Sequence, residues 1–286
     1  MKYSILLLFC ILMMLVSCES HDDYDEEKAN IIVEGWIEDG GFPVVILTQS
    51  IPVSHSYVSS DSLSNYLIRW AKVTIYDGAD SVVLTGKYDS GYFPPYIYTT
   101  SRMKGVSGKN YQLTVEYKDF YATATTWIPP LPPVTHFRVA PCIDSDSLYQ
   151  ISAQFKDNPH EKNYYQFFTR VGTDKKQFLA SYLGSIDDAV LSENSEVMVY
   201  RGHQLKSHDY TPYYHVTDSV AVKFAQIDKE SYDFWDNYTK VLSLSGNMFL
   251  STYMNVSSNI KGGFGYWCGY GAITTHIVIA DSVSQF

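Results

Sequence analysis

The densest run of stacking and reactive side chains in this 286-residue chain is Gly262-Gly263-Phe264-Gly265-Tyr266-Trp267-Cys268-Gly269-Tyr270-Gly271. Glycine-rich runs cradle phosphate when their amides converge at a helix N-terminus and a Lys-Ser/Thr pair follows. Here no Gly-Lys-Ser/Thr is present and the run leads into strand-like sequence, which excludes a dinucleotide-binding fold. The expectation is a tight bend or bulge where backbones approach closely, with Tyr266, Trp267 and Tyr270 as ligand contacts. A second group combines His203, His208 and His215 with Tyr210, Tyr213 and Tyr214. Imidazoles ligate transition metals, but these spacings match no helical i, i+4 pair and no carboxylate is placed among them. No metal is expected, and Tyr210 and Tyr213 stand as further contacts for an organic ligand. Asp144-Ser145-Asp146 begins like a calcium loop but lacks its sixth-position glycine and closing glutamate, and Asp187-Asp188 reads as a solvated turn. The chain has no Gly-x-Ser-x-Gly elbow, His-Glu-x-x-His pair or nucleophilic-cysteine signature. No catalytic residue and no cofactor is assigned, and the protein is expected not to be an enzyme.

One cysteine carries a different chemistry. Lys2 precedes an apolar run from Ile5 to Val16, twelve residues long, too short for the roughly 20 of a spanning helix. It reads as a signal peptide over residues 1–17. The run ends in Leu15-Val16-Ser17-Cys18, a lipobox pattern in which the Cys18 thiol is acylated and becomes the new N-terminus. Two or three acyl chains, at about 0.8 kcal/mol per buried CH₂, hold a protein on a membrane almost permanently. Residues 18–29 then form an acidic tether, with six acidic residues between Glu19 and Glu27. Such a block repels itself and stays extended.

Composition narrows the partners. Lys and Arg total 21 against 31 Asp and Glu, a net charge of −10 with no basic block, so nucleic acid has no electrostatic footprint. Aromatic residues make up 15% of the chain, 25 of them tyrosine, which is the compositional excess that needs a reason. Once residues 1–17 are removed and Cys18 is lipidated, Cys142 and Cys268 are left. An extracytoplasmic compartment permits a disulfide between them, but the spacing does not establish one.

The elements that must position these residues are mostly strands. Ile31, Val33 and Ile37 alternate with Glu34 and Glu38, and Ala71 to Tyr76 alternates before Asp77-Gly78. Tyr111–Tyr117 and Tyr121–Trp127 flank Lys118-Asp119 as a hairpin. Residues 30–128 are therefore expected to form an N-terminal β-sandwich, Ig-like in character. The Pro-rich segment 129–133 follows as a stiff connector. Residues 134–286 are expected to form a second β-rich, sandwich-like domain, with strands near 134–139, 148–155, 163–171, 216–224 and 275–280. That half carries one helix, capped by Asp228, with an apolar stripe at Phe234, Trp235, Tyr238, Val241 and Leu242 and a stop at Gly246. The fold class is mainly β.

Several segments together resemble the DUF4249 family of Bacteroidetes outer-membrane lipoproteins. They are the lipobox, Val33-Glu34-Gly35-Trp36-Ile37 with Pro43–Ser50, Gly105–Leu113, and Asn259–Trp267, in this order along nearly the whole chain. Trp267 and Cys268 stand where the family pattern has Phe and a small residue. The acidic run behind Cys18 also resembles the surface-export signal of such lipoproteins, the alternative being a plain solvated spacer facing the periplasm. The resemblance implies a cell-surface location and a TonB-dependent outer-membrane transporter as partner, and it carries over no catalytic residue. The expected function is thus a lipid-anchored surface protein, an accessory or ligand-binding partner of a nutrient transporter, taking a glycan or peptide through its aromatic side chains. A structural or adhesive, fimbria-associated surface protein is the alternative.

Overall fold

The computed structural model describes residues 30–50, 65–133, 135–143, 145–158, 160–191, 196–202, 210–244, 256–280 and 284–285. Cys18, His203, His208, Asp144 and Gly246 lie outside these residues. The frame is an eight-stranded sheet in the order β12 (Leu179–Asp187), β11 (Tyr164–Val171), β15 (Ser219–Ile227), β16 (Phe264–Val278), β1 (Ile31–Glu38), β2 (Val44–Gln49), β6 (Tyr96–Thr99) and β5 (Thr85–Tyr88). Two smaller sheets stack on one of its faces. One comprises β4 (Ser81–Val83), β3 (Lys72–Tyr76), β7 (Asn110–Tyr117) and β8 (Phe120–Trp127). The other comprises β13 (Glu196–Val199), β10 (Ser145–Phe155), β9 (Thr135–Cys142) and β17 (Ser284–Gln285), with β14 (Tyr214–His215) beside β10.

Two cores result, as the sandwich expectation requires. Ile31, Val33, Ile37, Val45 and Leu47 of the large sheet meet Val73, Ile75, Leu113 and Val115. Tyr165, Phe167, Val222 and Phe224 meet Phe137, Val139 and Ile151. The large sheet itself is continuous across both halves, because β16 runs parallel to β1 at Phe264–Tyr270 and antiparallel to β15 from Gly271 onward. The two faces of β16 therefore divide: Trp267, with Ile260 ahead of the strand, packs into the N-terminal core, while Tyr266, Cys268 and Tyr270 pack with Phe168, Phe234 and Trp235 of the other half. The proline segment is packed too: Pro129 and Pro132 are buried, and a Cβ on Gly271 would fall 2.2 Å from the Pro130 carbonyl oxygen.

The large sheet's other face, its outer face, is covered by α1 (Lys229–Leu244). Asp228 caps the helix, accepting from Ser231 N–H at 2.7 Å, and also accepts from Thr126 Oγ1 at 3.0 Å. Thr126 Oγ1 accepts in turn from Gly269 N–H at 2.8 Å, so the cap is tied to β16. Phe234 and Trp235 from the predicted stripe face the sheet.

Candidate functional site: an aromatic cleft with a cationic end

Period-two alternation puts Ile32, Glu34, Trp36 and Glu38 of β1 on the outer face, and the parallel register sets Glu34 beside Tyr266, Trp36 beside Cys268 and Glu38 beside Tyr270. On the far side of β16, Phe168 of β11 lies opposite Lys223 of β15, with Arg170 two residues along the same face. A strap closes over this floor. The β11–β12 loop docks on the β5–β6 loop through Lys176 N–H to the Gly91 carbonyl at 2.8 Å and Phe93 N–H to Gln177 Oε1 at 2.8 Å. Lys176 Nζ also pairs with Asp89 at 2.9 Å. These loops spring from opposite ends of the sheet, so they tie its ends together above the middle strands.

Between floor, strap and α1 lie two adjoining chambers that share Gln177, Phe178, Trp235 and Tyr266 in their linings. The larger, about 570 Å³, is mostly apolar, lined by Phe93, Phe234, Tyr238, Val256 and Phe264 with Glu34 at its floor. The smaller, about 400 Å³, carries Lys87, Arg170, Lys176 and Lys223 against Glu38 and Asp89. Both fall in the size range of small-molecule sites.

The aromatic side chains hold one another in place. Tyr266 lies 4.6 Å from Phe234 and 4.9 Å from Trp235, centroid to centroid, and Tyr270 lies 5.1 Å from Phe168. Such offset and tilted contacts stiffen a stacking surface before a ligand arrives. Burial pushes the Glu34 carboxyl up to about 7, because a charge there loses water without gaining a partner. Burial also raises the Tyr238 hydroxyl to about 12 and those of Tyr266 and Tyr270 well above their ordinary value. All three tyrosines are neutral donors and acceptors at physiological pH. At the cationic end Lys223 Nζ meets Glu38 at 2.5 Å. Lys223 and the Arg170 guanidinium both pack on the Phe178 ring, at 4.4 and 4.8 Å from its centroid.

The segments that build this cleft all fall inside residues 19–275, which match the family model described as Domain of unknown function (DUF4249). The chain belongs to the DUF4249 family. No curated protein and no solved structure matches it.

In this DUF4249 chain the expected contacts separate. Tyr266 and Tyr270 lie together on the cleft face. Trp267, one residue out of phase, points the other way: it is fully buried in the N-terminal core, where its indole N–H donates to the Tyr111 carbonyl at 3.0 Å. Its alternation partners Gly265, Gly269 and Gly271 let neighbouring backbone pass close. A Cβ on Gly265 would sit 1.9 Å from the Val33 carbonyl oxygen, and this glycine has φ +109°, a conformation that other residues avoid. The glycine run is thus the close-approach element expected, built as a strand. Tyr210 and Tyr213 lie outside both chambers. Tyr210 donates to the Arg201 carbonyl, and Tyr213 packs 6.3 Å from Tyr200.

Cys268 is a free thiol sealed under α1 beside Ser231, Trp235 and Tyr270, and burial raises it well above the ordinary thiol value. The residues that sequence reasoning missed are Glu34, Trp36, Glu38, Arg170, Phe178 and Lys223. For Glu34 and Glu38 a signal existed, since both fall on the polar side of the β1 alternation. Arg170 and Lys223 become neighbours only through the β11–β15 register.

Proposed function

We propose that this DUF4249 protein is a lipid-anchored, surface-exposed outer-membrane lipoprotein that binds a small organic ligand in the cleft and serves a TonB-dependent transporter, without chemistry of its own. The observation that carries the binding role is the pair of adjoining chambers with an aromatic floor and a charged end. The cleft offers stacking faces, neutral hydroxyls and cations. The anchor and the partner rest on the Cys18 pattern, the acidic tether and the family resemblance. Affinity capture on the native, Cys18-anchored protein is expected to recover an outer-membrane transporter, and deletion of the gene is expected to lower uptake of that transporter's substrate. Capture without a transporter together with unchanged uptake would refute the proposal.

A further inference from the structure

Resting on this ligand-binding reading, we infer that the cleft selects a small organic acid, its anionic group held at Arg170 and its apolar body lying between Phe178 and the Trp235–Tyr266 pair. The first support is a local inversion of charge. The chain carries −10 overall, yet the smaller chamber sets four cations against two carboxylates. Two of those cations, Lys87 and Lys176, share Asp89, and Lys223 is neutralised by Glu38. Arg170 makes no ion pair among the described residues, and its Nε is buried without a hydrogen-bond partner.

Arg170 is half-buried and lines the chamber; a guanidinium cannot shed its proton there, so an anion that accepts from it would supply the partner it lacks. The Arg170 guanidinium lies over the Phe178 ring, and its fork of in-plane donors suits a planar carboxylate. A second recess of about 260 Å³ adjoins this point, lined by Arg170, Lys175 and Arg201 and by no carboxylate. Away from Arg170 the lining turns aromatic and apolar across the shared residues Phe178, Trp235 and Tyr266. Burial disfavours the charged form of Glu34 in the apolar chamber, so it opposes a bound anion less than an ordinary carboxylate would.

The test is calorimetric titration of the chain from residue 18 onward, carrying Cys18→Ala, with naphthoate, its neutral isostere naphthamide, naphthylmethylammonium and inorganic phosphate. Naphthoate is expected to bind about tenfold more tightly than naphthamide, the margin of one charge-assisted contact, and phosphate alone to give no binding. Arg170→Gln is expected to abolish the preference for naphthoate over naphthamide, while Arg170→Lys keeps part of it. Equal binding of naphthoate and naphthamide by the unaltered protein, or a preference for the ammonium, overturns the acid selectivity while the binding cleft stands. Phosphate binding as tight as naphthoate overturns the role of the apolar body. Failure of all three aromatic probes to bind overturns the cleft reading itself.

Discussion

Glu34→Gln probes the cleft floor most directly. Glu34 titrates near 7 in the folded chain, against an ordinary 4.5, because burial disfavours its charged form. The folded state therefore holds a proton that the unfolded chain has released between these two values. Stability from this group is complete below about pH 4.5, falls as pH rises through about 7, and is level above that. At roughly 1.4 kcal/mol per unit, the loss between these limits is about 3 kcal/mol. This is a ceiling, since the carboxyl's cleft side meets water. Gln keeps the shape and cannot ionise, so the variant is expected to match the native protein at about pH 4 and exceed its stability by up to about 3 kcal/mol at about pH 8. Asp77 works in the opposite sense: backbone N–H donors of Asp80 and Ala79, with Lys109, hold it down to about 2, so its contribution fades only in more acid solution. Urea unfolding of both proteins across this range reads the difference. Parallel stability curves would show that Glu34 is already ionised or solvated in the fold, and the account of the cleft floor would fail.

Other substitutions separate scaffold from site. Gly35→Ala places a Cβ 2.8 Å from Trp267 Cε3 inside a full core, and overpacking of this kind costs about 1–3 kcal/mol; urea unfolding should show that loss with naphthoate affinity unchanged, and a neutral outcome would mean that Trp267 is loosely packed. Asp228→Ala removes the α1 cap and the bond from Thr126, an expected loss of about 1–2 kcal/mol that Asp228→Asn largely restores; thermal unfolding of the two variants checks this. In the Cys18→Ala chain that starts at residue 18, Ellman's reagent should modify Cys142 in the native state and Cys268 only after denaturation, since both are free thiols and Cys268 is the sealed one. No reaction in denaturant without reductant would reveal a disulfide instead.

How far the sequence could reach is decided by the range of the interactions involved. Strand alternation, the Lys118-Asp119 hairpin and the Asp228 cap are set within a few residues; the hairpin and the cap appear where their local patterns placed them, while the strands expected at 216–224 and 275–280 run over Ser219–Ile227 and Phe264–Val278. The aromatic run at 264–271 was legible as a site only in part, because a list of adjacent aromatics ignores the pleat. Tyr266 and Tyr270 share one face and Trp267 takes the other, so a single run supplies both a binding floor and a core. The same rule, applied strictly, would have moved Trp267 to the core in advance and brought Glu34 and Glu38 to the fore. The cationic end is of another kind. Phe168 meets Lys223 only because β11 and β15 pair in one particular register, and the strap reaches the floor only because loops from opposite ends of the sheet hydrogen-bond to each other. A one-residue slip of β15 would turn Lys223 into the core and Val222 into the cleft. Arg170 and Lys223 each read in sequence as an ordinary strand residue, and the long-range pairing that brings both to Phe178 is what makes them a site.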